Sequence, residues 1–332
     1  MSNAGRILVT GATGFVGRAV CPALEQAGYT VRGLSRDSDR ARARWPDRDW
    51  VHGDVGTGEG VAGALHGCDA ALYLVHGMGR GDADYRERDR TAATEFAAMA
   101  ARAGLSRLIY LGGVAPQGPP SEHLASRLEV GEALRSSGLP SLELRASMII
   151  GHGSLSWVIV RDLAARLPFM VLPRWMRHIT QPVAIEDVVV ALVQGLSVPI
   201  APGASFDLPG PESLSETEIV IQAAGALGLR PPLMVEVPVL SPWLSSHWIH
   251  VVTRAEWGVA REIVLGLAHD LLARNDDYWT LIGHDTRISF REAARRAVAD
   301  ERDLGRQEGA FAGWVESSMR RVRAAPPGAP SA

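Results

Sequence analysis

Arg6-Ile-Leu-Val-Thr-Gly-Ala-Thr-Gly-Phe-Val-Gly17 is the stretch whose reading decides the fold. Ile7-Leu-Val9 is a short apolar run of the kind that forms a buried strand. It passes through a turn with glycines at 11, 14 and 17 into the helical pattern Arg18-Ala-Val-Cys-Pro-Ala-Leu-Glu-Gln-Ala-Gly28. Glycine lets the backbone turn tightly and come close to a ligand. The start of a helix offers unpaired N–H groups and a partial positive charge to an anion. Strand, glycine turn and helix in that order make a seat for a dinucleotide pyrophosphate.

The whole chain sets the outer bounds. It has 332 residues, 46% hydrophobic and 21% charged, which fits a water-soluble globular chain of one large or two small domains. A net charge of −3 gives no polyanion footprint, so no nucleic-acid partner is expected. Cys21 and Cys68 are too few for a disulfide scaffold or a zinc site and read as buried small hydrophobes. No run reaches the roughly 18 apolar residues of a membrane span. The first strand begins about five residues in, leaving no room for a signal peptide, so the expected compartment is the cytoplasm. The chain contains no lysine; its 34 basic residues are all arginine. That excludes Schiff-base chemistry, a Walker-type phosphate lysine and any Tyr-x-x-x-Lys pair.

Strand and helix patterns then alternate. Strands are predicted at Tyr29–Arg36, Asp49–Val55, Ala70–His76, Arg107–Leu111 and Ser141–Ile150. Helices are predicted over Asp37–Arg44, Gly58–His66, Asp84–Ala103 and Glu122–Ser136, and Gly77–Asp82 and Gly112–Ser121 read as loops. Continuous apolar strand cores between helices mark a parallel sheet covered on both faces. The rhythm loosens after Gly151. Helices are expected at Leu155–Leu167, Ile185–Leu196, Glu216–Leu227, Arg261–Arg274 and Phe290–Asp300, and short strands at Ile179–Val183, Ser205–Leu208 and Val235–Val239. The expected architecture is an α/β Rossmann doubly wound parallel sheet with a smaller C-terminal α+β substrate-binding portion. The sheet domain takes residues 1–150, with returning segments at about 179–208. The mainly helical substrate portion takes 151–323, and a disordered tail takes 324–332.

Several stretches together resemble a family. Thr10-Gly-x-x-Gly-x-x-Gly17 has the spacing of extended and atypical short-chain dehydrogenase/reductases. Gly53-Asp-Val55, Leu108-Ile-Tyr-Leu-Gly-Gly113, Leu144-Arg-Ala-Ser-Met-Ile-Ile-Gly151, Gln181-Pro-Val-Ala-Ile-Glu-Asp-Val188 and Phe206-Asp-Leu-Pro-Gly-Pro-Glu212 follow in the family's order. Tyr73–His76, Tyr110–Gly113 and Gln181–Ala184 look most like the bacterial NmrA-like NAD(P)-binding group. That group is also similar to the nucleotide-binding accessory subunit of respiratory complex I. The resemblance spans about Arg6 to Leu227.

The resemblance implies a nicotinamide dinucleotide site. By motif position its contacts would be Gly11, Thr13, Gly14, Phe15, Val16, Gly17, Ser35, Arg36, Asp54 and Val55, with Leu74, Val75 and His76 on the nicotinamide side. An NAD-preferring site places an acid at the end of the second strand to take the ribose hydroxyls. Here that end is Ser35-Arg36-Asp37, and a guanidinium suits a 2′-phosphate, so NADP is expected ahead of NAD. Arg32 lies at even spacing from Arg36 and would share its face.

The family's Ser, Tyr and Lys are replaced. The Ser position holds Gly112-Gly113, and Tyr-x-x-x-Lys aligns with His123-Leu-Ala-Ser-Arg127. His123 and Arg127 share a helix face, so they are the candidate catalytic pair. Arg127 can grip a ribose, and His123 is the candidate proton donor near neutral pH, although the arginine pushes it toward the neutral imidazole. His247-x-x-His250 lacks the further ligands a metal needs, so no metal is expected. Leu155–Trp175 and the Trp243–Trp257 cluster suggest cover for a small apolar substrate, or contact with a membrane surface. The expected activity is NAD(P)H-dependent hydride transfer to an apolar acceptor such as an enone or quinone. The alternative is a non-catalytic NAD(P)-binding redox sensor or assembly factor; an epimerase-like use of the fold ranks third. A homodimer is a family-level expectation.

Overall fold

The computed structural model describes residues 5–75, 85–237 and 269–308. The first half alternates strand and helix: β1 Arg6–Thr10, α1 Phe15–Gln26, β2 Thr30–Ser35, α2 Ser38–Arg44, β3 Asp49–His52, α3 Val61–Leu65, β4 Ala70–Tyr73, α4 Tyr85–Arg102, β5 Arg107–Gly113, α5 Glu122–Arg135 and β6 Ser141–Ala146. These six strands and β11 (Ala204–Asp207) form one parallel sheet of seven, in the order β11-β6-β5-β4-β1-β2-β3. The order reverses between β1 and β4, and in such sheets ligands bind beyond the carboxyl ends of the strands at that point.

The central strands β1, β4 and β5 are buried on both faces, which is why they read as unbroken apolar runs. On one face Val20 and Leu24 of α1 pack with Val188 and Leu192 of α7 (Ile185–Gln194) against Ile7, Val9 and Leu72. On the other, Leu65, Phe96, Val130 and Leu134 from α3, α4 and α5 cover Leu8, Ala71 and Leu108.

The C-terminal portion has its own core. Trp157 and Leu163 of α6 (Leu155–Arg166), Ile219 and Val220 of α8 (Glu216–Ala226), and Phe290 and Ala294 of α10 (Phe290–Glu308) form it. Around it run the short strands β7 Ile149–Ile150, β8 Phe169–Pro173, β9 Ile179–Thr180, β10 Val183–Ala184, β12 Leu214–Ser215 and β13 Leu233–Val237. They pair two by two, β7 with β10, β9 with β12 and β8 with β13.

Several expected elements are revised. The sixth strand breaks after Ala146, because Ile149 and Ile150 leave the main sheet to pair with Val183 and Ala184. The strand expected over 179–183 is two short strands in different sheets, β9 and β10. Residues 269–274 are irregular rather than the end of a helix; Leu271 bridges Thr180, and Ala273 N donates to Gln181 Oε1 at 2.8 Å. A helix that the sequence pattern missed, α9 (Asp277–Leu281), is pinned by its aromatics. Tyr278 Oη donates to Ala191 O at 2.8 Å and Trp279 Nε1 to Pro209 O at 2.9 Å. Buried Asp187 ties the following loop down, accepting from His284 Nε2 at 2.7 Å and Ile288 N at 2.8 Å. No helix among the described residues is long and apolar enough to cross a membrane. His247, His250, the Trp243–Trp257 cluster and the 324–332 tail lie outside the described residues.

Candidate dinucleotide site

The glycine turn is shaped by backbone contacts that leave no room for side chains. Gly11 has φ +69°, and a Cβ there would lie 3.0 Å from Leu74 O and 3.3 Å from Val75 Cγ1. A Cβ on Gly17 would run into Gly11 O and lie 2.6 Å from Ala12 Cα. Gly14 N closes the turn on Gly11 O at 2.9 Å. Thr10, which opens the motif but was given no contact there, locks the end of β1 to the end of β4: its Oγ1 donates to Leu72 O at 3.2 Å and accepts from Leu74 N at 3.1 Å.

The helix that follows is left uncapped. In α2, α5, α6 and α8 a side chain of the N-cap residue accepts an N–H of the first turn, from Asp37, Ser121, Ser154 and Ser215. In α1 the N-cap is Gly14 and, as in α3, α7 and α9, no side chain does so. Three first-turn N–H groups, those of Phe15, Val16 and Gly17, and the positive end of a 12-residue helix are thus open to an anion, with Thr13 and Gly14 exposed beside them. A cradle that a Cβ would fill and an uncapped helix start fit a pyrophosphate. Phe15, half-buried, lies against the loop after β7, where a Cβ on Gly151 would come 3.2 Å from its ring. Val16 and Leu74 pack on the core edge.

At the adenosine end, Ser35 closes β2 and Arg36 is exposed just beyond it, with no partner among the described residues. Asp37 is turned the other way: its Oδ1 accepts from Arg40 N at 3.0 Å as the cap of α2, and its own N–H donates to Ser35 Oγ at 3.2 Å. Arg32 does not join Arg36. Its guanidinium pairs with Asp49 at 2.7 Å and donates to the carbonyls of Ala64 and His66. Asp54 Oδ1 accepts from Gly56 N at 2.8 Å, and the Val55 side chain is buried in the core, so Val55 has only its backbone to offer a nucleotide. His76 lies outside the described residues, while Leu74 and Val75 stand half-buried next to Gly11.

The other half of the site is built on α5. Gly112 and Gly113 belong to β5 itself rather than to the loop after it. A Cβ on Gly113 would meet Leu124 Cδ1 at 2.7 Å and come 3.7 Å from Arg127 Nε, so β5 and Arg127 are in direct contact. Arg127 Nη2 donates to Leu111 O at 3.2 Å, and its Nε is buried without a hydrogen-bond partner. An orphaned guanidinium N–H beside the carboxyl end of β5 is a ready donor for a ligand hydroxyl.

His123, half-buried one turn earlier, has its pKa lowered to about 4, by desolvation first and then by the Arg127 charge. At neutral pH it is therefore the neutral imidazole, in the direction expected from the Arg127 charge and with burial as the larger cause. The strand tyrosines do not replace it. Tyr73 and Tyr110 are buried edge to face at 6.0 Å, and burial pushes the Tyr110 phenol up to about 12. Tyr110 Oη donates to Arg127 O at 3.1 Å, fixing the helix turn that carries the arginine.

Glu143 on β6, unforeseen in the sequence, completes the support. It is 1% exposed, takes Arg135 Nε and Arg145 Nη2 at 2.8 Å each, and fills the space that Gly112 and Gly131 leave for it between β5 and α5. Its one signal was a pair of opposite charges, Glu143 and Arg145, inside a strand that also holds Leu142, Leu144 and Ala146. No cluster of His, Cys, Asp or Glu able to hold a metal occurs among the described residues.

Comparison with known proteins agrees with this geometry. Residues 11–164 match a family model described as NAD(P)H-binding. A (4-alkanoyl-5-oxo-2,5-dihydrofuran-3-yl)methyl phosphate reductase of Streptomyces griseus is 31% identical over 243 residues, 70% of this chain and 77% of that protein. A ceramide reductase of Caulobacter vibrioides is 28% identical over 233 residues, 69% and 73% of the two chains. The Citrobacter triphenylmethane reductase, solved with NADP(H), superposes with TM-score 0.68 at 18% identity over 88% of this chain and 99% of its own, a likeness of fold. The chain belongs to the short-chain dehydrogenase/reductase superfamily, in its atypical, NmrA-like NAD(P)-binding group.

Proposed function

We propose that the protein is an NADPH-dependent reductase of a conjugated, largely apolar acceptor, an enone, quinone or similar compound. The carrying observation is the union of an intact dinucleotide cradle with a rewritten α5 face, neutral His123 beside Arg127 and its orphaned Nε. When bound, the nicotinamide supplies a hydride. Gly11, Gly14 and the first turn of α1 hold the pyrophosphate. Ser35 and Arg36 take the 2′-phosphate, since Asp37 is spent as a helix cap. Arg127 holds the ribose through Nε–H. His123 donates an N–H to the acceptor oxygen as a neutral imidazole and steadies the charge that develops there. A conjugated acceptor suits this arrangement, because its oxygen needs only a hydrogen bond while the proton that completes the product comes from water. The named relatives, which reduce a furanone phosphate and a ceramide by their names, support an acceptor that combines a polar group with an alkyl part.

A fluorescence titration with NADPH and NADH, followed by loss of nicotinamide absorbance against enones, quinones and aldehydes, tests the reading. NADPH binding and turnover on enones or quinones are expected. His123→Gln should keep much of the rate and His123→Phe should lose roughly 100-fold, the scale of one oxyanion donor. Binding without turnover on any acceptor would replace the reductase with the alternative, an NAD(P)-binding redox sensor or assembly factor, which the missing Ser, Tyr and Lys favour. Equal turnover in His123→Phe would remove His123 from the chemistry.

A further inference from the structure

We infer that Asp270 is a positioning residue of the acceptor side: it brackets the loop that leads into α5 to β9, and so sets where His123 stands. Residues 269–274 form a strap across the carboxyl ends of three neighbouring strands of the main sheet. At β5, Asp270 O accepts Gln117 N, from the loop after that strand, at 3.2 Å. At β6, Ala273 N donates to Gln181 Oε1 at 2.8 Å, and the Gln181 carbonyl accepts Ser147 Oγ, one residue past the strand, at 3.1 Å. At β11, Arg274 N donates to Asp207 Oδ2 at 2.8 Å. The dinucleotide cradle and its adenosine end lie at β1 and β2, so the ends of β5, β6 and β11 are the part of that edge left for a second ligand. That this ligand is an acceptor rests on the function proposed above.

Asp270 holds the strap from both sides. Its Oδ1 accepts from Ile179 N at 2.8 Å and from His178 Nδ1 at 3.0 Å. These donors, the Ile179 N–H first, hold its carboxyl below the ordinary range, so it is ionised and His178 meets it with Nδ1–H. Leu271 N adds a bond to Ile179 O at 2.9 Å. One residue thus grips β9 with its side chain and the β5–α5 loop with its carbonyl. His269 closes the joint. A Cβ on Gly118 would lie 2.7 Å from His269 Nδ1, so the loop meets that ring at a residue with no side chain. The His269 ring in turn lies 6.1 Å from that of His178. Three residues past Gly118, Ser121 caps α5 by accepting Leu124 N at 3.3 Å, and His123 stands in the first turn of that helix. The position of His123 therefore passes through a loop whose fastening lies on segments about 60 and 150 residues further along the chain.

Hydrogen exchange of the full chain by mass spectrometry, with an NMR titration of the His123 imidazole, tests the bracket. Asp270→Ala should speed exchange over residues 115–121 about tenfold, the worth of one hydrogen bond. Asp270→Asn keeps an acceptor oxygen for Ile179 N and His178 Nδ1, and should restore the parent's rate. Gly118→Ala presses on the His269 ring from the loop side and should speed the same segment. Burial is the larger cause of the low His123 pKa, so freeing the loop should move its midpoint up from about 4. NADPH affinity should stay as in the parent, while kcat/KM for the enone or quinone turned over falls about tenfold or more. Exchange and titration need no turnover, so they decide the matter even if the parent reduces nothing. Parent-like exchange over 115–121 in Asp270→Ala, or an unmoved His123 midpoint, overturns the inference. So does an equal rise in exchange across the whole chain, or an Asp270→Asn protein no better than Asp270→Ala, since Asp270 would then serve stability or charge alone.

Discussion

Replacing Gly17 with alanine adds one carbon where the structure has no space. That Cβ would run into Gly11 O and lie 2.6 Å from Ala12 Cα, whereas ordinary contact begins at 3.4 Å. The missing space, 0.8 Å at Ala12 Cα and more at Gly11 O, cannot come from a side-chain rotation, because the obstructing atoms are backbone on the other arm of the turn. Either α1 lifts from the turn or the turn opens. Forced overpacking of this kind costs about 1–3 kcal/mol, and a backbone obstacle points to the upper part of that range. The same shift moves the first-turn N–H groups relative to Gly11, and a misplacement near 1 Å can cost on the order of 100-fold where geometry is used. Urea unfolding should therefore show a loss of about 2–3 kcal/mol, and NADPH fluorescence titration at least a tenfold weaker Kd. Gly63→Ala is the control: it lies inside α3, a Cβ there meets nothing within 4 Å, and removing a helical glycine should add roughly 0.5–1 kcal/mol. A Gly17→Ala protein with the parent's Kd and urea midpoint would refute the cradle argument outright.

Three further outcomes follow from single contacts. Arg36→Ala should weaken NADPH about 10- to 100-fold, the worth of a charged hydrogen bond, and leave NADH unchanged; equal losses for both would move the 2′-phosphate elsewhere. Glu216, 5% exposed with burial alone raising its pKa to about 8, is held protonated. A raised carboxyl pKa gives stability that is full below the unfolded value of 4.5 and is lost as pH rises toward 8, at roughly 1.4 kcal/mol per pH unit at most. Glu216→Gln should flatten that fall, and urea midpoints at pH 5 and pH 8 read it. Asp187→Ala should cost about 3 kcal/mol in the same assay, because His284 Nε2 and Ile288 N lose a buried acceptor.

The parts of the fold that could be read from the sequence are those whose physics is local. Ile7–Val9, Ala70–Tyr73 and Leu108–Leu111 are covered on both sides, so each is a continuous apolar run. Gly11, Gly14 and Gly17 are glycines for steric reasons that a spacing rule captures. Beyond Gly151 the strands are short and pair across long separations, as Thr180 does with Leu214 and Leu271, and two-residue strands carry no period. Helix α9 is five residues long, too short for a helical repeat, and is held by carbonyls of Ala191 and Pro209 far off in sequence. Arg32 misled for another reason. Even spacing put it with Arg36, but β2 ends at Ser35, so Arg36 leaves the pleat while Asp49 on the neighbouring strand captures Arg32.

The site divides along the same line, and the division constrains its chemistry. The cradle depends on backbone, so it survives where only glycines and a helix start are kept. The α5 face depends on two side chains and their surroundings, and its electrostatics became visible only with Arg127 set against Gly113 and Leu111. Sequence spacing could place His123 and Arg127 on one face and let the arginine push the imidazole toward its neutral form; it could not say that burial, the larger cause, lowers the pKa to about 4. A neutral imidazole next to a permanent cation is a hydrogen-bond donor in a positive field. Such a pair stabilises negative charge appearing on a nearby oxygen better than it releases a proton to it. On the function proposed above, that pair suits acceptors whose reduction places charge on oxygen through conjugation, rather than simple ketones that need a proton delivered as the hydride arrives.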